Sequence, residues 1–418
     1  MVILFAIVVI DLIGFGLVIP LLPFYGERFG ASPFAVTVIL AMYSLAQLFA
    51  APLWGRLSDR WGRRPILLVS LAGSVVAYLW MGVAYSLWVL FAARFLQGAM
   101  AGNIAAAQAY VADVTTPENR AKGMGMIGAA FGIGFIIGPA LGGFLAGGDP
   151  ATARLGAPFY VGAGLSALAF LAALVFLKES LPPERRGSIR RVGRLAAITD
   201  KLGRPNLRGL ILLSFLVVLA FAGMEVTFAM WAFRQFHWGP LQVGLVFTFV
   251  GVISATMQGG LVGRLTKRYG EARLLTTGLA AILLGLLILP AAAGVPLLLA
   301  STGLLAVGMG LTQPSLNSLI SRRARADEQG EVLGVNQSVG SFARIVGPWL
   351  AGLLFEAGLR SESTVGALGK GAPFFAGAAL MAVAIVLAVR VLRPAAAGEP
   401  SAAEGTTSAQ RPSASRAP

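Results

Sequence analysis

The sequence contains no cysteine and a single histidine, His237. The first absence excludes thiol catalysis, disulfides, iron–sulfur clusters and cysteine-ligated zinc. The second excludes a histidine-rich metal centre, and no metal or other cofactor is called for. Charge is scarce as well. Asp, Glu, Lys and Arg make up 12% of the chain, about half of the roughly 25% usual in a soluble domain. There is no phosphate-cradling G-x-x-x-x-G-K-[ST], so ATP does not drive the protein directly. No Ser-His-Asp or His-Glu-x-x-His arrangement offers hydrolytic chemistry.

What fills the space is apolar. Hydrophobic residues account for 57% of the 418 positions, with 53 glycines, and the mean hydropathy is +0.79. A soluble fold of this length cannot hide that much apolar surface, so the chain reads as an all-α integral membrane protein. Twelve apolar segments are each long enough to cross a bilayer at about 20 residues. They run near 2–25, 34–57, 64–85, 87–112, 119–147, 154–178, 206–234, 240–266, 271–291, 295–321, 328–357 and 371–392. The first lacks a basic leader and exceeds a signal-peptide core, so it reads as a span. The segments are continuously apolar rather than alternating, which argues against a barrel. Small residues recur at close spacing, as in Gly128, Gly132, Gly134, Gly138, Gly142 and Gly143, and let helices approach closely.

The net charge of +15 is a topology signal. With connections assigned alternately to two faces, one face carries twenty-six basic residues and the other five. Arg94 and Arg344 lie inside spans. The bias puts both termini in the cytoplasm of a multi-pass protein of the cell's inner (plasma) membrane. It also removes the case for nucleic-acid binding.

Residues 179–205 form the one long polar break, so the chain divides into six-span halves at 1–178 and 206–393 with a cytoplasmic linker between them. The basic run E-R-R-G-S-I-R-R-V-G-R suggests a short helix lying on the lipid surface. The tail, 394–418, is rich in Pro, Ala, Ser, Gly and Thr and reads as disordered. The halves repeat. G-R-L-S-D-R-W-G at 55–62 returns as G-R-L-T-K-R-Y-G at 263–270, and Gly138-Pro139 returns as Gly347-Pro348. An even number of spans per half makes the repeat parallel, an architecture suited to alternating access around a central site.

Four motifs resemble those of the major facilitator superfamily. They lie nearest its twelve-span drug/proton antiporters and the tetracycline-efflux-like branch. They are D-L-I-G-F-G-L-V-I-P-L-L-P in span 1 (Asp11 to Pro23) and G-R-L-S-D-R-W-G-R-R after span 2 (Gly55 to Arg64). The others are R-F-L-Q-G in span 4 (Arg94 to Gly98) and G-F-I-I-G-P-A-L-G-G in span 5 (Gly134 to Gly143). The resemblance covers all twelve spans and is strongest in the first half. It implies a major facilitator fold acting as a monomer in the lipid bilayer. A small-molecule substrate and protons would be the partners, and a proton gradient the energy source. The span 5 motif favours export over import. One departure stands out. Where the tetracycline-efflux branch has an acidic residue in span 3, this chain has Ala77 in L-A-G-S-V-V-A-Y, which argues against metal-chelated tetracycline as the native substrate.

The candidate site residues follow. Asp11 lies about 13 Å into span 1 by helix rise. A carboxylate within a membrane is expected to carry a proton or meet a cation, or else to bond a neighbouring helix. The resemblance implies a proton-coupling role for Arg94, which could also serve as a fixed counter-charge to Asp11. Glu225 in span 7 and Arg344 in span 11 sit at similar depth, each more than about 20 Å from the basic face by helix rise. They form either an inert pair or a second proton and substrate site. By resemblance, Gly55, Asp59, Arg60, Gly62, Arg63 and Arg64 form a gate. Asp59 would cap the start of span 11 in the outward-facing state, and the arginines would reach Asp113. Gly138, Pro139, Gly347 and Pro348 read as packing hinges between the halves. The superfamily's cavity is lined by spans 1, 4, 7 and 10, which brings in Phe15, Gln97, Gln108, Phe228, Trp231 and Gln313, with Tyr43 and Gln47 of span 2 among the other polar candidates. Such a wall suits an amphiphilic or aromatic solute. The expected function is proton-coupled antiport exporting an amphiphile or drug. The rival is a proton-coupled importer or a facilitator of a metabolite, and remoter readings are a membrane-embedded enzyme or a scaffold.

Overall fold

The computed structural model describes residues 2–186, 194–325, 328–361 and 366–392. The basic run around 187–193 and the tail 394–418 lie outside the described residues. Among the described residues, twelve helices are long and apolar enough to cross a membrane. They are Val2–Arg28, Pro33–Trp61, Arg63–Gly82, Leu87–Val114, Gly123–Ala146, Ala157–Phe176, Pro205–Phe236, Pro240–Tyr269, Glu271–Ala291, Val295–Arg323, Gln329–Arg360 and Gly369–Leu392, spans 1 to 12 below. Helices are the expected solution, because within lipid each backbone group must find its partner inside its own segment.

Sequence punctuation sets the ends. Pro33, Pro205 and Pro240 open their helices at positions where a backbone N–H has no partner to lose. Ser32 accepts from the Ala35 N–H at 3.2 Å, capping span 2. Gly62 and Gly270 have φ of 109° and 78° and join spans 2–3 and 8–9. They are the same position of the internal repeat, so both halves turn the same corner on a residue that tolerates that conformation.

Three spans are interrupted. Span 1 breaks between Val18 and Leu22, where Pro20 removes a donor. Span 4 breaks after Ala99 and resumes at Asn103. Span 8 carries a π-helical turn at Met257–Leu261, a local widening often found at functional positions.

Packing repeats the sequence repeat. Span 1 lies on span 5 and span 7 on span 11; span 3 lies on span 6 and span 9 on span 12. Gly138 meets Gly16 of span 1, and Gly347 meets the Leu219 carbonyl of span 7; a Cβ would come within 2.7 and 2.5 Å respectively. These glycines were expected at the boundary between halves. They instead close pairs inside each half, because an interhelical approach this tight leaves no room for a side chain. Pro139 does face the other half, through its carbonyl against Gly244 of span 8. The halves meet mainly along two helix pairs, span 5 with span 8 and span 2 with span 11, and span 7 also touches the end of span 1 and span 2. The outer surface presents large apolar side chains such as Phe49, Trp80, Trp88, Phe144 and Val175, as lipid contact requires.

A clamp on the basic face ties the linker to span 11. The helix Arg194–Gly203 places Lys201 2.9 Å from Glu328, and Arg204 reaches the same carboxylate at 2.6 Å. Hydrogen bonding from Lys201, the Arg325 N–H and Arg204 pulls the Glu328 carboxyl down to about 2.

Candidate functional site

The two helix pairs that join the halves are zipped at one end and splayed at the other. The closed end is the face opposite the basic loops. Leu241 N–H donates to the Gly147 carbonyl at 3.2 Å, and a Cβ at Gly143 would come within 2.7 Å of the Pro240 oxygen. Deeper in, the Thr248 hydroxyl donates to the Ile136 carbonyl at 3.0 Å. Gly132 still approaches Ala255, but Gly128, Gly125, Gly259 and Gly260 face open space.

Spans 2 and 11 behave alike. Phe34 N–H donates to Glu356 at 3.3 Å, and Gly352 presses on Thr37. Glu27 and Arg234 close the same face at 2.7 Å. The Arg234 guanidinium also lies 5.4 Å over the Phe355 ring, and Phe24 meets Phe233 edge-on at 6.2 Å. The molecule is sealed on the face opposite the basic loops and opens as a cleft toward them.

At mid-depth, ionisable groups from both halves converge. Asp11 accepts a hydrogen bond from the Asn103 side-chain amide. The break in span 4 aims that amide. Ser70 of span 3 donates to the Met100 carbonyl and accepts from the Asn103 N–H at 3.0 Å, so one hydroxyl bridges the interruption. Trp54 of span 2 donates to the Ala99 carbonyl at 2.5 Å.

Arg94 is not the direct partner of Asp11. It is 3% exposed and donates to Gln97 at 2.5 Å. Its guanidinium sits 4.8 Å over the Tyr43 ring and 6.0 Å from that of Phe15, in a desolvated setting where such contacts are worth about 2 kcal/mol. Phe15 packs on Tyr43 and Phe135. Tyr78 lies beside Gln97, extending the network into span 3. From the second half, Glu225 feels the positive charges of Arg344 and, across the boundary, Arg94. Glu225 and Arg344 close no direct ion pair among the described residues.

Other expected residues sort by position. Phe228 and Trp231 were expected to line the cavity but are 1% exposed. They pack with Phe247, Phe236 and Phe374 in the core of the second half, because span 7 is buried almost all round toward the sealed face. Gln97 is buried in the Arg94 network. Gln47 and Gln313 are half-buried, and Gln108 is exposed. Ala77 is fully buried. His237 ends span 7 in a left-handed conformation, away from the cleft. Among the described residues no cluster could hold a metal ion.

In the gate region Arg63 joins Asp59 at 2.5 Å and Asp113 at 2.9 Å, tying the ends of spans 2 and 4. Arg64 donates to the Leu174 carbonyl at 2.6 Å. Arg60 was expected to reach Asp113 but projects outward, exposed, since the helix turn after Gly62 brings Arg63 to that place. Gly55 and Gly62 are buried. Sequence reading missed Glu179. Its carboxylate accepts from the Arg63 and Arg64 N–H groups at 2.8 and 3.1 Å, an anion at the start of span 3 where the helix dipole favours it. Sequence reading also missed Asn103 as the partner of Asp11 and the Glu27–Arg234 seal, whose members are remote in sequence.

Two six-helix bundles around a shared intramembrane charge cluster define a carrier. The model of the Major Facilitator Superfamily matches residues 4–348 and 210–417. The tetracycline resistance protein of class C from Escherichia coli is 33% identical over 357 residues, spanning 84% of this chain and 88% of its own. The class G protein of Vibrio anguillarum is 35% identical over 349 residues, spanning 82% and 86%. The crystal structure of the human organic anion transporter MFSD10 superposes with a TM-score of 0.69 at 26% identity, covering 93% of this chain and 98% of its own. A bacterial homologue of the lysosomal transporter Spinster shares the fold at a TM-score of 0.78 and 14% identity, with 93% and 95% covered. The chain belongs to the Major Facilitator Superfamily: it is a multi-pass membrane transporter of a small molecule, and not an enzyme.

Proposed function

We propose that the protein is a secondary active transporter that exports an amphiphilic small molecule in exchange for protons. The observation that carries this reading is the mid-membrane cluster of Asp11, Arg94, Glu225 and Arg344, drawn from both halves at the bottom of a cleft open to one face. Intramembrane charges of this kind mark substrate and proton pathways. The excess of basic residues at that open face supports a cytoplasmic location for it and for both termini, at the inner (plasma) membrane. The similarity to tetracycline resistance proteins supports export.

In this reading Asp11 carries the proton. The Asn103 amide steadies the ionised form, and Arg94, held between Tyr43 and Phe15, biases the site toward proton release once the cleft changes sides. The halves, 1–178 and 206–393, rock about the 5–8 and 2–11 helix pairs as a monomer, with the linker 179–205 clamped to span 11. The proton gradient supplies the energy and no cofactor takes part.

The test uses inverted membrane vesicles with an imposed proton gradient and a pH-sensitive dye. Hydrophobic cations, fluoroquinolones, tetracyclines, aromatic acids and neutral lipophiles are added in turn. At least one compound should dissipate the gradient in the wild type but not in Asp11→Asn. An undiminished signal in that variant would remove Asp11 from coupling. If no compound moves protons, antiport gives way to a facilitator or importer.

A further inference from the structure

We propose that Arg344 anchors an anionic group of the substrate, so that the site takes amphiphiles bearing a carboxylate or similar oxyanion beside an aromatic body. This rests on the transporter reading of the cleft and names the chemistry that the cleft selects.

In span 11, Gly330, Gly334, Gln337, Ser341 and Arg344 recur at intervals of three and four and so share one helix face. The stripe continues through Pro348 and Gly352 toward the sealed end, where Gly352 presses against Thr37 of span 2. Below that contact, Gly330, Gly334, Gln337 and Arg344 are exposed. The face that meets the first half at the sealed end is therefore the face that looks into the cleft at the open end. Lipid contact lies round the helix, at Phe342, Trp349 and Leu353. Arg344 points into the cleft and away from the bilayer.

The two intramembrane arginines sit in opposite surroundings. Arg94 is enclosed, with an acceptor in Gln97 and two aromatic rings around it. Arg344 has no hydrogen bond or ion pair among the described residues. A permanent charge at mid-membrane with no direct partner is costly. Its planar fork of donors is built to grip a carboxylate through two parallel hydrogen bonds. Glu225 is near enough to be felt but does not close on it.

Across the cleft the Arg344 guanidinium lies within electrostatic range of Tyr43, whose ring packs on Phe15. An aromatic body between the halves would lie against those rings while its anionic end met Arg344. A cationic ligand would meet Arg344 head-on. Asp11 is already held by Asn103, and the acid that would welcome a cation in span 3 is replaced by the buried Ala77.

The experiment uses the full chain in lipid nanodiscs and three probes of one shape: 2-naphthoate, 2-naphthamide and 2-naphthylmethylammonium. Binding is measured by equilibrium dialysis, with each variant checked for monodispersity and thermal unfolding. Naphthoate should bind the wild type at least about tenfold more tightly than the amide, the ratio that a charge-assisted pair of about 1.4 kcal/mol gives. Arg344→Gln should erase the difference and Arg344→Lys restore part of it. Glu225→Gln should tighten naphthoate several-fold by removing the competing carboxylate; a merely structural Glu225–Arg344 pair predicts no such gain. A wild type that does not prefer naphthoate, or a preference that survives Arg344→Gln, overturns the proposal. The vesicle assay separates its failure from that of antiport. Arg344-dependent naphthoate binding without proton movement leaves the anion site and removes the antiporter. Proton movement driven by the cation, with naphthoate inert, does the reverse.

Discussion

Glu27, at the end of span 1, and Arg234, at the end of span 7, are 207 positions apart in sequence and bond at 2.7 Å. That bond crosses between the halves at the sealed face, with both side chains about a fifth to a quarter exposed. It must break before the cleft can open on that side, so it belongs to the switch rather than to the static scaffold.

Glu27→Gln should therefore favour the alternative conformation. A pair this exposed is worth about 1 kcal/mol at most, or roughly a fivefold change in population. The absence of native cysteine makes the measurement clean. A single Thr37→Cys, fully buried against span 11, should label about fivefold faster with a membrane-impermeant maleimide when Glu27 is neutral. An unchanged rate would place the opening elsewhere.

Glycines along the 5–8 pair should divide by position. Gly143→Leu drives a side chain into the backbone at Pro240 and Leu241, and overpacking of this kind costs about 1–3 kcal/mol. It should lower the unfolding temperature and loosen the sealed face. Gly128→Leu enters open space and should leave the unfolding temperature unchanged. Transport should still fall by an order of magnitude or so, because closing the basic face brings spans 5 and 8 together there. Normal turnover in Gly128→Leu would exclude that motion.

The cluster at the end of span 2 should be a strong point of stability. Arg63 is 3% exposed and Asp59 6%. Arg63→Ala withdraws the guanidinium from Asp59 and Asp113 and should cost about 3 kcal/mol, the range for breaking a buried pair from one side. Arg60→Ala, at an exposed position, should cost less than about 0.5 kcal/mol. Thermal unfolding of both variants side by side distinguishes the roles.

The linker clamp should be indifferent to physiological pH and sensitive to strong acid. The Glu328 carboxyl is held at about 2 by Lys201, the Arg325 N–H and Arg204, below its unfolded value. A depressed carboxyl stabilises the clamp fully above the unfolded value near 4.5 and loses that contribution as pH falls toward about 2. Hydrogen-exchange protection factors in Arg194–Gly203, corrected for the intrinsic pH dependence of exchange, should stay flat from pH 8 to pH 6 in the wild type and be lower in Glu328→Gln at all these values. Equal exchange in the two proteins would dissolve the clamp.

Much of the fold was legible because a bilayer imposes its own arithmetic. A helix must be apolar for about 20 residues to cross it, so twelve spans, their basic loops and the repeat of Gly62 at Gly270 could be read along the chain. Asp11, Arg94, Glu225 and Arg344 were legible for a related reason: charge within an apolar run stands out, and a membrane tolerates it only with cause. What the sequence alone determined is thus the number of crossings, the division into halves and the presence of intramembrane charge.

Partnership is another matter, because it depends on which helix faces which across tens or hundreds of residues. Only the tertiary structure decided that Asp11 belongs to Asn103 and Arg94 to Gln97 and Tyr43, since the break in span 4 turns those side chains apart. It moved Phe228 and Trp231 from cavity to core, and Gly138 and Gly347 from the boundary between halves to pairs within them. It joined Glu27 to Arg234 and turned Arg344 toward the cleft. Periodicity marks the faces of a helix, but the neighbour on each face is set by packing, and packing is a property of the assembled bundle.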